Sequence, residues 1–149
     1  MDSKLMKVVN QKARFDYELG ERVEAGIVLT GAEVKSAKLG QVDMSNAFVK
    51  FKPSRFGRQE GWVFNLMIYP YKHADNREYV PTRPRKLLLH PKETLEMVVK
   101  MKQTNRMIVP TALYTENNYV KIELALARGK RKYEKRETIK KRDEERQGE

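Results

Sequence analysis

Tyr119-Val120-Lys121-Ile122-Glu123-Leu124-Ala125-Leu126-Ala127-Arg128 places Val120, Ile122, Leu124 and Leu126 on one side and Lys121, Glu123, Ala125 and Ala127 on the other. A period of two is the mark of a half-buried strand. Before it stands Asn117-Asn118, a pair that tolerates left-handed backbone angles. Arg106 to Glu116 precedes that pair, and the two arms predict a hairpin. Further upstream, Glu21 to Thr30 alternates in the same way, with Val23, Ala25, Ile27 and Leu29 on one side. A second strand is expected over Gln41 to Phe51, stopped by Pro53, then a polar turn over 52–61 and a third strand from Gly61 to Ile68.

Helical signals are short. Thr30-Gly31-Ala32-Glu33 fits a capping box, and Gly40 is placed to end a helix running through Leu39. Val34 and Ala37 would face the core, leaving Lys35 and Lys38 outside. Pro91 suits a first helical position, and the following helix is expected to turn Leu95, Val98, Val99 and Lys102 inward. Between these elements, Tyr69 to Arg85 holds Pro70, Pro81 and Pro84 without a period and reads as a long loop. Such a pattern excludes a helix bundle and regular βαβ repeats. A mainly β domain with short helices, closed into a small antiparallel barrel that hides its edges, is the expected architecture.

Composition narrows the function. The chain has 149 residues, with 31 basic against 20 acidic and a net charge of +11. It has no cysteine and two histidines, His73 and His90, which removes disulfides, cysteine-zinc sites and thiol catalysis. No apolar run reaches the length of a membrane span, and the start lacks a secretory core, so a cytoplasmic protein is expected. Neither a phosphate-binding glycine loop nor a nucleophile elbow is present, and no metal or cofactor set is proposed. His90 reads as a cap and Glu24, Glu33 and Asp43 as surface charge or caps. A binding protein with an anionic partner, not an enzyme acting on a small molecule, is the expectation.

The charge is unevenly spread. Residues 128–149 hold 10 basic and 6 acidic side chains, and the segment from Arg128 to Arg142 is +7. With only Tyr133 and Ile139 as sizeable apolar residues, this tail is expected to stay loose alone and to become helical when a polyanion neutralises it. The chain therefore divides into a domain over 1–127 and a basic tail over 128–149. Within the domain, Lys12, Arg14 and Phe15, then Lys35 and Lys38, then Arg83, Arg85 and Lys86 form three basic groups suited to phosphate contacts. Phe15, Tyr17, Tyr69, Tyr71 and Tyr79 are candidate stacking rings. Salt bridges from the third group to Asp75 or Glu78 are the competing assignment. Composition permits RNA or DNA, and equally an rRNA-binding structural protein of the ribosome.

Four ordered motifs carry a resemblance: Asn10-Gln11-Lys12-Ala13-Arg14-Phe15-Asp16-Tyr17; Glu24 to Ser36 (EAGIVLTGAEVKS); Val80 to Leu89 (VPTRPRKLLL); and Ala127 to Arg136 (ARGKRKYEKR). Together they resemble the SsrA-binding protein family, also called small protein B. The resemblance implies a Greek-key barrel like an oligonucleotide-binding fold, with transfer-messenger RNA and the ribosome, through small-subunit rRNA, as partners in rescue of stalled ribosomes. It also implies RNA-binding roles for Asn10, Glu24 and Leu89. A ribosome-engaging role falls to Lys130, Arg131, Lys132, Tyr133, Lys135 and Arg136. Phe15 stands where many members have histidine, while Val80 and Glu134 stand where aspartate is frequent.

Overall fold

A computed structural model of the chain describes residues 4–130, 136 and 139–143, with side chains from Lys7 onward. In chain order the elements are β1 (Lys4–Val9), α1 (Gln11–Asp16), β2 (Tyr17–Ile27), α2 (Gly31–Lys38), β3 (Val42–Asp43) and β4 (Phe48–Pro53). After these come β5 (Gln59–Phe64), β6 (Met67–Ile68), β7 (Arg85–Leu88), α3 (Pro91–Thr104), β8 (Met107–Glu116) and β9 (Tyr119–Gly129).

All pairings are antiparallel, and the main sheet runs β1-β8-β4-β5-β7-β2-β9. Because β9 also pairs with β8, the hydrogen bonding comes back on itself as a ring. Two seams of that ring are thin: β4 meets β8 at Val49↔Ile108, and β2 meets β7 at Gly26↔Leu88 and Ile27↔Leu87. The thick wall is β8–β9–β2. Its hairpin turns at Asn117 and Asn118, both left-handed with φ of 51° and 68°, the geometry that a two-residue turn between twisted strands requires.

Inside the ring Ile122, Leu124, Ile108, Leu113, Val63 and Leu66 are fully buried, which is the inward set of the β9 alternation joined to its neighbours. A second, smaller cluster lies outside the barrel wall, where α1 packs Ala13 on Val109 and Ala127 with Tyr17 and Leu19 at its margin. For that reason both faces of β8 are buried from Ile108 to Thr115.

Several expectations are corrected by the tertiary structure. The predicted second strand is two strands, β3 and β4, separated by the turn in which Ala47 N–H donates to Met44 O at 3.0 Å. The predicted third strand breaks at Asn65, whose φ of 59° ends β5 and sends Met67–Ile68 to pair with β3 instead. Strands β1 and β7 and helix α1 were not separated from their surroundings by pattern alone. The inward stripe of α3 is Thr94, Met97, Val98 and Met101, one residue out of phase with the expected one. Leu95 and Val99 point to solvent with 65% and 40% exposure. The capping box of α2 is as read: Glu33 N–H donates to Thr30 Oγ1 at 3.2 Å, and Thr30 N–H donates to Glu33 Oε1 at 2.9 Å.

Candidate nucleic-acid interface

Three of the expected RNA-contacting residues lie on α1, which exists because Asn10 starts it. The Asn10 side chain accepts from Ala13 N–H at 3.1 Å, and its amide donates to Met44 O at 3.1 Å and Pro110 O at 2.8 Å. At 4% exposure it has no free edge for a base. Its expected direct RNA contact is therefore corrected to a positioning role: it holds the helix that presents Lys12, Arg14 and Phe15. Lys12 and Arg14 are exposed, and Lys12 Nζ donates to Asn46 Oδ1 at 3.1 Å.

The base of the tail meets the same helix. β9 runs to Gly129, opposite Tyr17, and Lys130 N–H donates to Asp16 O at 2.9 Å while its Nζ donates to Arg14 O at 3.0 Å. Arg136 and residues 139–143 have helical backbone, and the Arg142 guanidinium lies 5.4 Å from the centre of the Phe15 ring. Of the six expected ribosome-engaging residues, Lys130 and Arg136 are described; Arg131, Lys132, Tyr133 and Lys135 lie outside the described residues.

At the other end of β2 stands α2. Eleven strand residues at about 3.3 Å each separate the two helices by roughly 30 Å once curvature is allowed. There Lys38 Nζ donates to Asn118 Oδ1 at 3.3 Å and Lys35 Nζ sits 5.4 Å from the Tyr71 ring centre. So the first two basic groups mark opposite ends of the barrel. Between them, on the outward face of β2 and β9, Glu24 accepts from Lys121 Nζ at 3.0 Å and Glu123 from Arg22 Nη1 at 3.1 Å. The Glu24–Lys121 pair gives Glu24 the neighbour that an orienting carboxylate needs, and Glu24 is exposed.

The third basic group is where sequence reasoning erred most. Arg85 is 0% exposed and cannot touch a phosphate. Its guanidinium donates from Nε to Glu33 Oε2 at 2.8 Å, to Leu66 O at 2.6 Å, to Pro81 O at 2.9 Å and to Tyr79 Oη at 3.1 Å, and it pairs with Glu33 through Nη2. Arg83 joins it, pairing with Glu33 and donating Nε to Oε2 at 3.1 Å. Neither Asp75 nor Glu78 is the partner; Asp75 takes Arg77 at 2.8 Å. Of this group only Lys86 faces outward, paired with Glu60 at 3.3 Å.

Glu33, 1% exposed, is the residue missed as more than a cap. Burial pushes its carboxyl up, but hydrogen bonds from Arg83, the Thr30 backbone and Arg85, with the charge of Arg85, outweigh that and hold it at about 2. The same burial, together with the Glu33 charge, pushes the Tyr79 phenol up. Tyr79 donates to Ile68 O at 2.8 Å, so the proline-rich loop is tied to α2 and to the barrel through one carboxylate. An open groove of about 760 Å³ lined by Tyr69, Tyr71, Asp75 and Tyr79 lies beside it. His90 stands at the α3 N-cap, where its backbone N–H donates to Glu93. Leu89 is half-buried against the core, next to the exposed Leu88.

An antiparallel barrel with cationic side chains and aromatic rings at both ends, and a basic segment leaving beside one of them, defines a nucleic-acid-binding β-barrel protein. The sequence model of the SmpB protein family matches residues 7–149. The SsrA-binding protein of Sulfurihydrogenibium sp. (strain YO3AOP1) is 45% identical over 145 residues, covering 97% of this chain and 92% of the relative. That of Persephonella marina is 46% identical over 144 residues, covering 95% and 91%. A solved structure described as "tmRNA-SmpB: a journey to the center of the bacterial ribosome" matches with a TM-score of 0.68 at 39% identity, covering 89% of this chain and 94% of that one. The chain belongs to the SmpB family.

Proposed function

We propose that this chain binds the tRNA-like domain of transfer-messenger RNA through its barrel and delivers it to stalled ribosomes for trans-translation, while the tail engages the decoding region. The observation that carries this is the near full-length likeness to SsrA-binding proteins at 45–46% identity. The geometry supports a division of labour. A rigid wall (β2–β9) carries Glu24 and Lys121 in fixed relation between the two cationic ends, and fixed geometry is what base and phosphate recognition requires. The α1 end adds Lys12 and Arg14, and the tail leaves from there, so barrel and tail address different RNA surfaces.

The protein works as a binding factor and not as an enzyme. Its polar groups are committed to structure or displayed singly, and among the described residues no cluster of histidine and carboxylate side chains could hold a metal ion. No helix of the described residues is long and apolar enough to cross a membrane, and the place of action is the cytoplasm, with the ribosome. Sequencing the RNA that co-purifies from the native host tests the reading. Strong enrichment of transfer-messenger RNA is expected. Stoichiometric residence on every small subunit in sucrose gradients, independent of that RNA, would mean a ribosomal structural protein instead.

A further inference from the structure

The outward face of β4, β5 and β7 holds a second cluster of rings and cations that the family motifs do not include. Alternation puts Val49, Phe51, Val63 and Leu87 toward the core, and Phe48, Lys50, Lys52, Trp62, Phe64 and Lys86 on the other side. Register then brings them together: Phe48 is opposite Phe64, Lys50 opposite Trp62, and Trp62 opposite Lys86. The Phe48 and Phe64 rings stack with centroids 5.6 Å apart and planes 15° from parallel. Lys50 Nζ lies 5.4 Å from the Phe48 centroid and Lys52 Nζ 4.8 Å from that of Phe64. Phe48 also lines the groove beside α1 with Lys12, so the cluster continues onto the helix already assigned to RNA.

Cross-strand aromatic pairing explains the stacked rings as sheet stabilisation. It does not explain why lysines flank them. Along this strip Lys12, Lys50, Lys52 and Lys86 face one carboxylate, Glu60, a charge balance that fits a polyanion. Rings beside backbone-tracking cations are the combination that holds unpaired nucleotides, since every base has a π-face and a duplex conceals it. A lysine resting on a ring gives up only a weak exposed contact when it turns to a phosphate.

We propose that the β4–β5–β7 face, through Phe48, Trp62 and Phe64 with Lys50, Lys52 and Lys86, is a second RNA-binding surface that takes an unpaired stretch of RNA. It rests on the RNA-binding reading above and adds a contact face to it. Trp62 is the one tryptophan of the chain and reports on the site directly. The full-length protein is titrated with an unstructured RNA decamer, a duplex of the same length and a polyphosphate, following Trp62 fluorescence and, in parallel, transfer-messenger RNA by gel shift.

The decamer should quench Trp62 saturably and more than the duplex does. The exposed double variant Lys50→Ala/Lys52→Ala should weaken decamer binding about tenfold and lower the log–log salt slope by about two. Equal quenching by decamer and duplex, full competition by polyphosphate, or an unchanged affinity in the double variant would each overturn the proposal. If transfer-messenger RNA binds while the decamer leaves Trp62 unquenched, the second surface is wrong and the family function stands. If neither binds, both are wrong.

Discussion

Glu33 gathers donors from three separate parts of the chain, and its titration should therefore be visible in the stability of the whole domain. Its folded pKa of about 2 lies below the ordinary 4.5, so the unfolded chain takes up the proton first as pH falls. The stabilisation is complete above about pH 4.5 and is lost progressively down to about pH 2. A shift of that size is worth on the order of 3 kcal/mol. Chemical denaturation across pH 2–6, followed by Trp62 fluorescence, checks it. Glu33→Gln should abolish most of that acid-dependent loss and cost about 3–5 kcal/mol at neutral pH, because Arg85 is left buried without its carboxylate. The two neighbours Arg85 and Lys86 should separate cleanly. Arg85→Ala should destabilise the fold severely, whereas Lys86→Ala should leave stability within about 0.5 kcal/mol and lower the salt slope of RNA binding by about one. Glu24→Gln removes an exposed charge whose partner is Lys121; it should weaken the specific transfer-messenger RNA complex more than nonspecific RNA binding, measured side by side by gel shift.

Among the elements, α1 and β9 differ in how much their sequence says. β9 is legible because its strict period of two survives burial on both sides: Leu124 and Ile122 fill the barrel, and Ala125 and Ala127 are small enough to lie under α1. α1 spans six residues, too short for a period, and depends on Asn10 reaching carbonyls 34 and 100 residues away. Asn10→Ala should cost about 2 kcal/mol or more, by loss of the cap and two buried acceptors, and should lower RNA affinity through the displaced helix. Suppressing that affinity loss by stabilising α1 elsewhere separates positioning from direct contact; a loss that persists at restored helix stability means Asn10 touches the RNA. α3 was misjudged by one residue of phase. Its stripe of Thr94, Met97, Val98 and Met101 includes a threonine, so the more apolar Leu95 and Val99 looked like the inner face.

For the molecule as a whole, the two ends of β2 separate α2 from α1 and the tail, which predicts separable functions. Because β9 runs to Gly129 and Lys130 bonds to α1, the chain is best cut after Lys130. The truncated protein should remain folded and keep transfer-messenger RNA binding within about tenfold, or 1.4 kcal/mol, while losing tagging on stalled ribosomes. Collapse of affinity together with tagging would place the tail in the primary RNA site. Arg142 resting on Phe15 means that the cut also uncovers a ring of the α1 end, so Phe15→Ala should affect the truncated protein more than the full chain.

What the sequence determined by itself is the local part: alternating strands, the Thr30–Glu33 capping box, the Asn117-Asn118 turn, the surplus of cations and, through four motifs, the family. Each of these depends on neighbours within a few residues, or on composition, and needs no knowledge of the fold. The tertiary structure alone decided what Arg83 and Arg85 do. Three cations within four positions look alike along a chain; a strand's alternation turns Lys86 out and Arg85 in. The carboxylate that receives Arg85 is 52 residues away on another element. The same holds for Phe48, Trp62 and Phe64, scattered along two strands and gathered only by register. A buried charge must find its counter-charge wherever folding places one, and that distance is invisible to any local pattern.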